Sequence, residues 1–181
     1  MQDDQGLVTR AQYYDEEAFA QLYEKYFDQI YRYILLKIGD AHEAEDITQQ
    51  VFLKALKAIN TYKWKDGVPF SAWLYRIAHN QVVDHLRRKS RRPTCPLDDV
   101  VLHTTELDSS IHDDIEARYD LERLMVAIDK LTPLQREVVA LRFTSELPIA
   151  DVARIMGKSE GAVKALQHSA IQALRRIMNE G

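Results

Sequence analysis

A chain of 181 residues that is 46% hydrophobic and carries a formal net charge of −4 has room for one ordinary domain, or two small ones, with real cores. Its single cysteine, Cys95, excludes an internal disulfide scaffold and suits a reducing compartment. There is no run of about 18 apolar residues, and the amino terminus MQDDQGLVTR has neither the charge order nor the apolar stretch of a signal peptide, so the composition reads as a globular cytoplasmic protein with no membrane insertion of its own.

Residues 1–12 are expected to form an amino-terminal tail. Asp15 is placed to cap a first helix, with Glu16 and Glu17 in its electropositive first turn and Tyr14 set to staple onto Phe19. That helix runs to Gly39, and Phe19, Leu22, Tyr23, Phe27, Ile30, Ile34 and Ile38 recur along it at helical spacing. Ile47, Val51, Ala55, Leu56 and Ile59 do the same in a second helix, which should pair antiparallel with the first. The stretch NTYKWKDGVP, residues 60–69, breaks the pattern, and a third helix starts near Phe70 or Ser71.

Leu74, Ile77, Ala78, Val82 and Leu86 form the buried stripe of this third helix, while Arg76, Asn80, Val83, Arg87 and Arg91 face outward with Trp73 at the border. The helix ends in a run of cations, Arg87, Arg88, Lys89, Arg91 and Arg92. A cationic track beside an amide and the loop Tyr62-Lys63-Trp64-Lys65 is what separated DNA strands require: backbone charge needs neutralising, and unstacked bases need flat or hydrogen-bonding partners. Trp73 reads equally as core, whereas Trp64, in a loop among lysines, is harder to bury.

Periodicity then fails from Pro93 to about Asp114, a stretch with six acids and no Lys or Arg. This is a flexible acidic linker, residues 93–114, able to span at most about 70 Å when fully extended. A helix over roughly 115–130 follows, with Ile115, Leu121, Leu124, Met125 and Ile128 inward. Thr132-Pro133-Leu134-Gln135 is a helix start, with Thr at the cap, Pro at the first helical position and Gln closing a capping box.

The carboxy-terminal PIADVARIMGKSEGAVKALQHSAIQALRRI reads as helix, turn, helix. Pro148 starts a short helix, Gly157 supplies a left-handed turn and Ser159 caps the next helix. In that last helix Val163, Leu166, Ala170, Leu174 and Ile177 share one face; Gly161, Lys164, Ala165, His168, Gln172, Arg175 and Arg176 share the other. An ordinary helical hairpin would also be polar outside, but the combined spacing fits a DNA-binding helix-turn-helix better. Lys164, Ala165 and His168 are then candidates for base contact in the major groove, and Arg175 and Arg176 for phosphates.

Charge summed by segment supports a polyanion partner: −5 over residues 1–60, +6 over 61–92, −8 over 93–122 and +3 over 123–181, two basic modules around an acidic connector. Metal chemistry is not expected. HEAED at 42–46 lacks the second His of a zinc-protease helix, His79 and His85 lie about 240° apart around their helix, and Cys95, His103 and His112 are sparse ligands in a linker. No glycine-rich phosphate loop or nucleophile motif appears, so no cofactor and no enzyme activity is expected. The other function classes open at this point are a stand-alone helix-turn-helix transcriptional regulator and a protein-interaction adaptor.

With AHEAEDITQQVFLKAL at 41–56, PFSAWLYRIAHNQVVDHLRR at 69–88, LTPLQREVVALRF at 131–143 and the helix-turn-helix, in that order, the chain resembles the extracytoplasmic function (ECF) sigma factors of bacterial RNA polymerase. The resemblance implies an all-α fold of two small helical domains. Residues 13–92 would be sigma domain 2, binding the polymerase clamp helices and melting the minus-ten element; residues 115–181 would be sigma domain 4, meeting the polymerase flap and reading the minus-thirty-five element. It implies further that Asp46, Gln49 and Gln50 lie on the clamp-binding surface, that the loop 61–68 and Asn80 capture a flipped base, that the acidic linker threads toward the RNA exit path, and that an anti-sigma factor is a partner. Two residues depart from the family pattern: Gln50 stands where Glu is common, and Ser169 where Arg is common.

Overall fold

In the computed structural model, which describes residues 4–63, 67–91 and 123–179, every regular element is helical. The chain divides into two compact units at residue 100. The first holds α1 (Asp4–Gln12), α2 (Glu16–Ile38), α3 (Ala41–Ala58) with a 3-10 turn at Ile59–Thr61, and α4 (Phe70–Arg91). The second holds α5 over 123–129, α6 (Pro133–Val139) running into a π-helical turn at Ala140–Thr144, α7 (Ile149–Met156) and α8 (Glu160–Asn179). The predicted linker 93–114, with Cys95, His103 and His112, and the predicted positions of Trp64, Lys65, Arg92, Ile115 and Leu121 lie outside the described residues.

Local chemistry sets the helix ends where the sequence places them. Asp15 is extended and its carboxylate accepts the Ala18 N–H at 3.1 Å, while Gly39 closes α2 at φ 78 with its N–H on the Leu35 carbonyl. Asp40 then caps α3 by accepting the Glu43 N–H at 2.8 Å. In the second unit the capping box is complete: Thr132 Oγ1 accepts the Gln135 N–H at 3.3 Å, and Gln135 Oε1 accepts the Thr132 N–H at 3.1 Å.

Packing departs from the predicted stripes in instructive places. Leu22, Ile30, Ile34, Ile47, Val51, Ala55, Ile59, Leu74, Ala78 and Val82 are buried as expected. Leu56 and Leu86, expected inside, are 48% and 40% exposed. Tyr33 and Tyr75 instead fill the centre, fully buried and edge to face at 5.5 Å between ring centroids. α2 packs against α1, α3 and α4 together, so its buried sector is wider than one stripe and takes in Tyr26, Tyr33 and Leu35.

The expected tail at 1–12 is a second correction. From Asp4 the chain is helical, and Leu7, Val8 and Ala11 are buried where α1 packs on α2. Asp4 holds both Lys25 and the Tyr26 hydroxyl on α2; that carboxylate, after the larger effect of burial, drives the Tyr26 pKa well above its usual value. Tyr14 does not staple onto Phe19, because its backbone is left-handed at φ 65 and its side chain is 84% exposed.

Asp151, in the first turn of α7, is buried, with Arg154 Nη1 donating to its Oδ1 at 3.0 Å. Burial raises its pKa and the guanidinium offsets only part of that. A raised carboxyl pKa adds stability in full below the unfolded value, and that contribution is lost as pH rises through the folded value. Asp151→Asn should therefore flatten the fall in stability from the ordinary carboxylate range toward neutrality. Thermal unfolding across a pH series checks this, and a slope equal to the wild type's would contradict it.

Candidate nucleic-acid interface

The helix-turn-helix forms as its residues predict. Gly157 turns the chain at φ 62, the only hand that lets Lys158 N–H return to the Ala153 carbonyl at 2.9 Å. Ser159 Oγ accepts the Ala162 N–H at 3.2 Å and so starts α8. Val163 and Ala170 are fully buried, with Leu166, Leu174 and Ile177 half-buried beside them. Ser159, Gly161, Lys164, Ala165, His168, Arg175 and Arg176 are all exposed. Gln172, placed on the same face by its spacing, is exposed too, and its amide donates to the His168 ring across one turn at 2.9 Å, which makes His168 and Gln172 one polar unit on that face.

The inner side of α8 is gripped by polar contacts that sequence spacing does not show. Gln135 of the capping box donates to Ser169 Oγ at 3.1 Å, and Ser169 donates in turn to the Leu166 carbonyl at 3.0 Å. Ser169 is therefore committed to the fold. Arg142, in the π-helical turn, donates to Gln167 at 3.2 Å and to the Leu147 carbonyl, holding the segment before α7 against α8.

On the first unit Arg76, Asn80, Arg87, Arg88 and Arg91 are exposed along α4, as predicted, together with Val83. The cationic end is partly neutralised from within. Arg87 pairs with Asp84 at 3.3 Å, and Lys89 reaches Glu43 of α3 at 3.0 Å, where His85 also meets the carboxylate at 3.2 Å. Asp46, Gln49 and Gln50 are exposed on α3. Asp46, Gln50 and Glu43 line one hollow with His85, Arg88 and Lys89.

The aromatic loop needs one correction. Tyr62 was a candidate to face DNA, but it is 6% exposed. Its ring meets Phe70 at 5.7 Å and Trp73 at 5.3 Å, and its hydroxyl donates to the Val68 carbonyl at 2.8 Å. Burial pushes its pKa up to about 12. A loop aromatic with two rings in reach gains more by packing than by facing water, so Tyr62 shapes the loop from beneath. Trp73 is half-buried, at the border as predicted, and Lys63 is exposed. From the other side Gln12 donates to the carbonyls of Ile59 and Tyr62 at 2.9 and 2.8 Å.

Among the described residues no group of three metal-ligating side chains assembles, and no helix is long and apolar enough to cross a membrane.

Two family models match: Sigma-70 region 2 over residues 22–92 and Sigma-70 region 4 over residues 127–176. ECF RNA polymerase sigma factor BldN of Streptomyces coelicolor is 40% identical over 95% of this chain, which spans 64% of BldN. ECF RNA polymerase sigma factor SigW of Bacillus subtilis is 32% identical over 92% of this chain and 91% of its own length. Two solved structures share the fold: CnrH in complex with the cytosolic domain of CnrY, at TM-score 0.73 and 23% identity over 98% of this chain and 97% of that one; and RpoE of Bartonella quintana in complex with the anti-sigma factor NepR, at TM-score 0.73 and 22% identity over 89% and 96%. With region 2 on the unit that carries the α4 track and region 4 on the unit that carries the helix-turn-helix, the chain belongs to the ECF sigma factors of the sigma-70 family.

Proposed function

We propose that this chain binds core RNA polymerase, directs it to specific promoters and promotes DNA melting, with the first unit serving the minus-ten element and the second the minus-thirty-five element. One observation carries the reading. Each unit presents its own cation-bearing helix face, and the two faces differ in kind: α8 offers small and polar side chains suited to a duplex groove, whereas α4 lies beside a loop resting on three packed rings. The first unit would include α1, and Asp46, Gln49 and Gln50 of α3 would meet the polymerase clamp helices. The factor would act in the cytoplasm without catalytic chemistry of its own. RpoE of Bartonella quintana was solved with an anti-sigma factor, and a regulatory partner of that kind is proposed for this chain.

The test is whether purified protein comigrates with core RNA polymerase and directs start-site-specific transcription. A stand-alone regulator would bind a duplex palindrome without polymerase, and an adaptor would do neither.

Melting gives a sharper expectation. Asn80→Ala should weaken open-complex formation severalfold on a duplex promoter and spare polymerase binding. A pre-melted promoter should restore much of the loss, because unpairing energy no longer has to come from the protein. Equal defects on both templates, read by open-complex lifetime, would reduce Asn80 to a general phosphate or folding role.

A further inference from the structure

Tyr13 and Tyr14 stand side by side in the turn between α1 and α2, 83% and 84% exposed. Neither ring packs into the core. α1 closes with the Tyr14 N–H on the Ala11 carbonyl at 3.1 Å and the Asp15 N–H on the Arg10 carbonyl at 3.2 Å, a pattern whose left-handed residue is usually glycine. Tyr14 takes that conformation at φ 65, where a bulky side chain is strained. Glycine would serve the backbone better, and the ring's hydrogen bond within the fold is the long one from Asn60 at 3.4 Å, so its exposed face is left for a contact outside the chain.

The turn is tied to the downstream loop. Gln12 bonds the carbonyls of Ile59 and Tyr62, and the Tyr14 hydroxyl accepts from the exposed Asn60 amide at 3.4 Å. Tyr13 follows Gln12 and the exposed Lys63 follows Tyr62, so these bonds bring two rings, an amide and a cation to one edge of the unit. Of the carboxylates at this edge, Asp15 is occupied by the Ala18 N–H and by Arg10 at 2.8 Å, while Glu16 and Glu17 stand exposed in the first turn of α2, on the far side of Asp15 from the rings in sequence.

From this geometry we infer that the Tyr13–Tyr14 turn is a stacking site for an unpaired promoter base, extending the strand-separating surface beyond α4 and the 61–68 loop. The inference rests on the minus-ten reading of the first unit. Single-stranded DNA needs open ring faces for its bases and cations or amides for its backbone, and this edge offers both. Two rings alone fall far short of the ~1,200 Å² that a stable protein interface buries.

The experiment uses holoenzyme and a pre-melted form of a promoter recovered in the start-site assay, with affinity read by fluorescence anisotropy. Tyr13→Ala and Tyr14→Gly should each weaken binding about tenfold, the loss expected of one stacked base. Tyr14→Gly should leave thermal unfolding unchanged or raised, since it relieves the left-handed strain, and Tyr14→Phe should bind like the wild type because stacking needs only the ring. Wild-type binding by Tyr13→Ala and Tyr14→Gly, with Asn80→Ala still defective on duplex promoter, would overturn the stacking site and leave the minus-ten reading standing. Wild-type behaviour by all three would overturn both. A loss of affinity for core polymerase itself in the tyrosine variants would make the turn a protein contact and also overturn the inference.

Discussion

Lys164→Ala and His168→Ala should each cost about 1–3 kcal/mol at the upstream element and change the preferred sequence there. Both side chains are exposed on the early turns of α8, one turn apart, with the small Gly161 and Ala165 beside them, so the backbone of this face can approach base edges closely. His168 is held by Gln172 at 2.9 Å, which fixes its ring and lets the two act together. Arg175→Ala and Arg176→Ala make the contrast, since phosphate contacts should weaken all sequences alike and lower the salt dependence. Selection from a randomised upstream-element library checks the set. If both the Lys164 and His168 variants kept the wild-type preference, a different register of α8 would face the groove.

A larger effect on stability is expected at Phe70. The ring is 1% exposed and has Tyr26, Tyr62 and Trp73 at 5.7, 5.7 and 5.4 Å. Phe70→Ala should destabilise the first unit by about 3–5 kcal/mol, a large share of the roughly 5–15 kcal/mol that holds a domain together. Because Tyr62 loses its T-shaped partner at the same time, the base of the loop should loosen before the unit unfolds. Denaturant unfolding of the full chain, which separates two units by their midpoints, gives the magnitude. A loss under 1 kcal/mol would mean that the neighbouring rings collapse into the space.

The features legible in the sequence are those whose cause is local. Asp15, Gly39, the Thr132–Gln135 box, Gly157 and Ser159 act within a few residues of themselves, and each does what its type and position predict. The exposed face of α8 follows from angle alone. Helix α1 was missed because nine residues with Leu7, Val8 and Ala11 give a faint period, and what holds them is α2, reached through Asp4 across 21 and 22 residues of chain. Tyr62 was misassigned for a related reason. An aromatic in a polar loop reads as exposed until Phe70 and Trp73 are brought beneath it. The Glu43 link to His85 and Lys89 spans more than 40 residues, and no periodicity in either helix announces it.

The polar grip on α8 has a consequence for how this protein changes over time. Gln135 and Arg142 hold Ser169 and Gln167 from the second unit's own body, and Val163 and Ala170 supply the apolar seat, so the pose of the helix is carried by residues that do not face outward. Lys164, Ala165, His168 and Gln172 are thereby released from structural duty. On the proposed reading of this face, a lineage could exchange them one at a time and drift from one set of target genes to another while the scaffold stays fixed. The converse follows from the same proposal: a change at the half-buried Gln135, which holds α8 through Ser169, would shift all four at once and retune the whole set of targets in a single step.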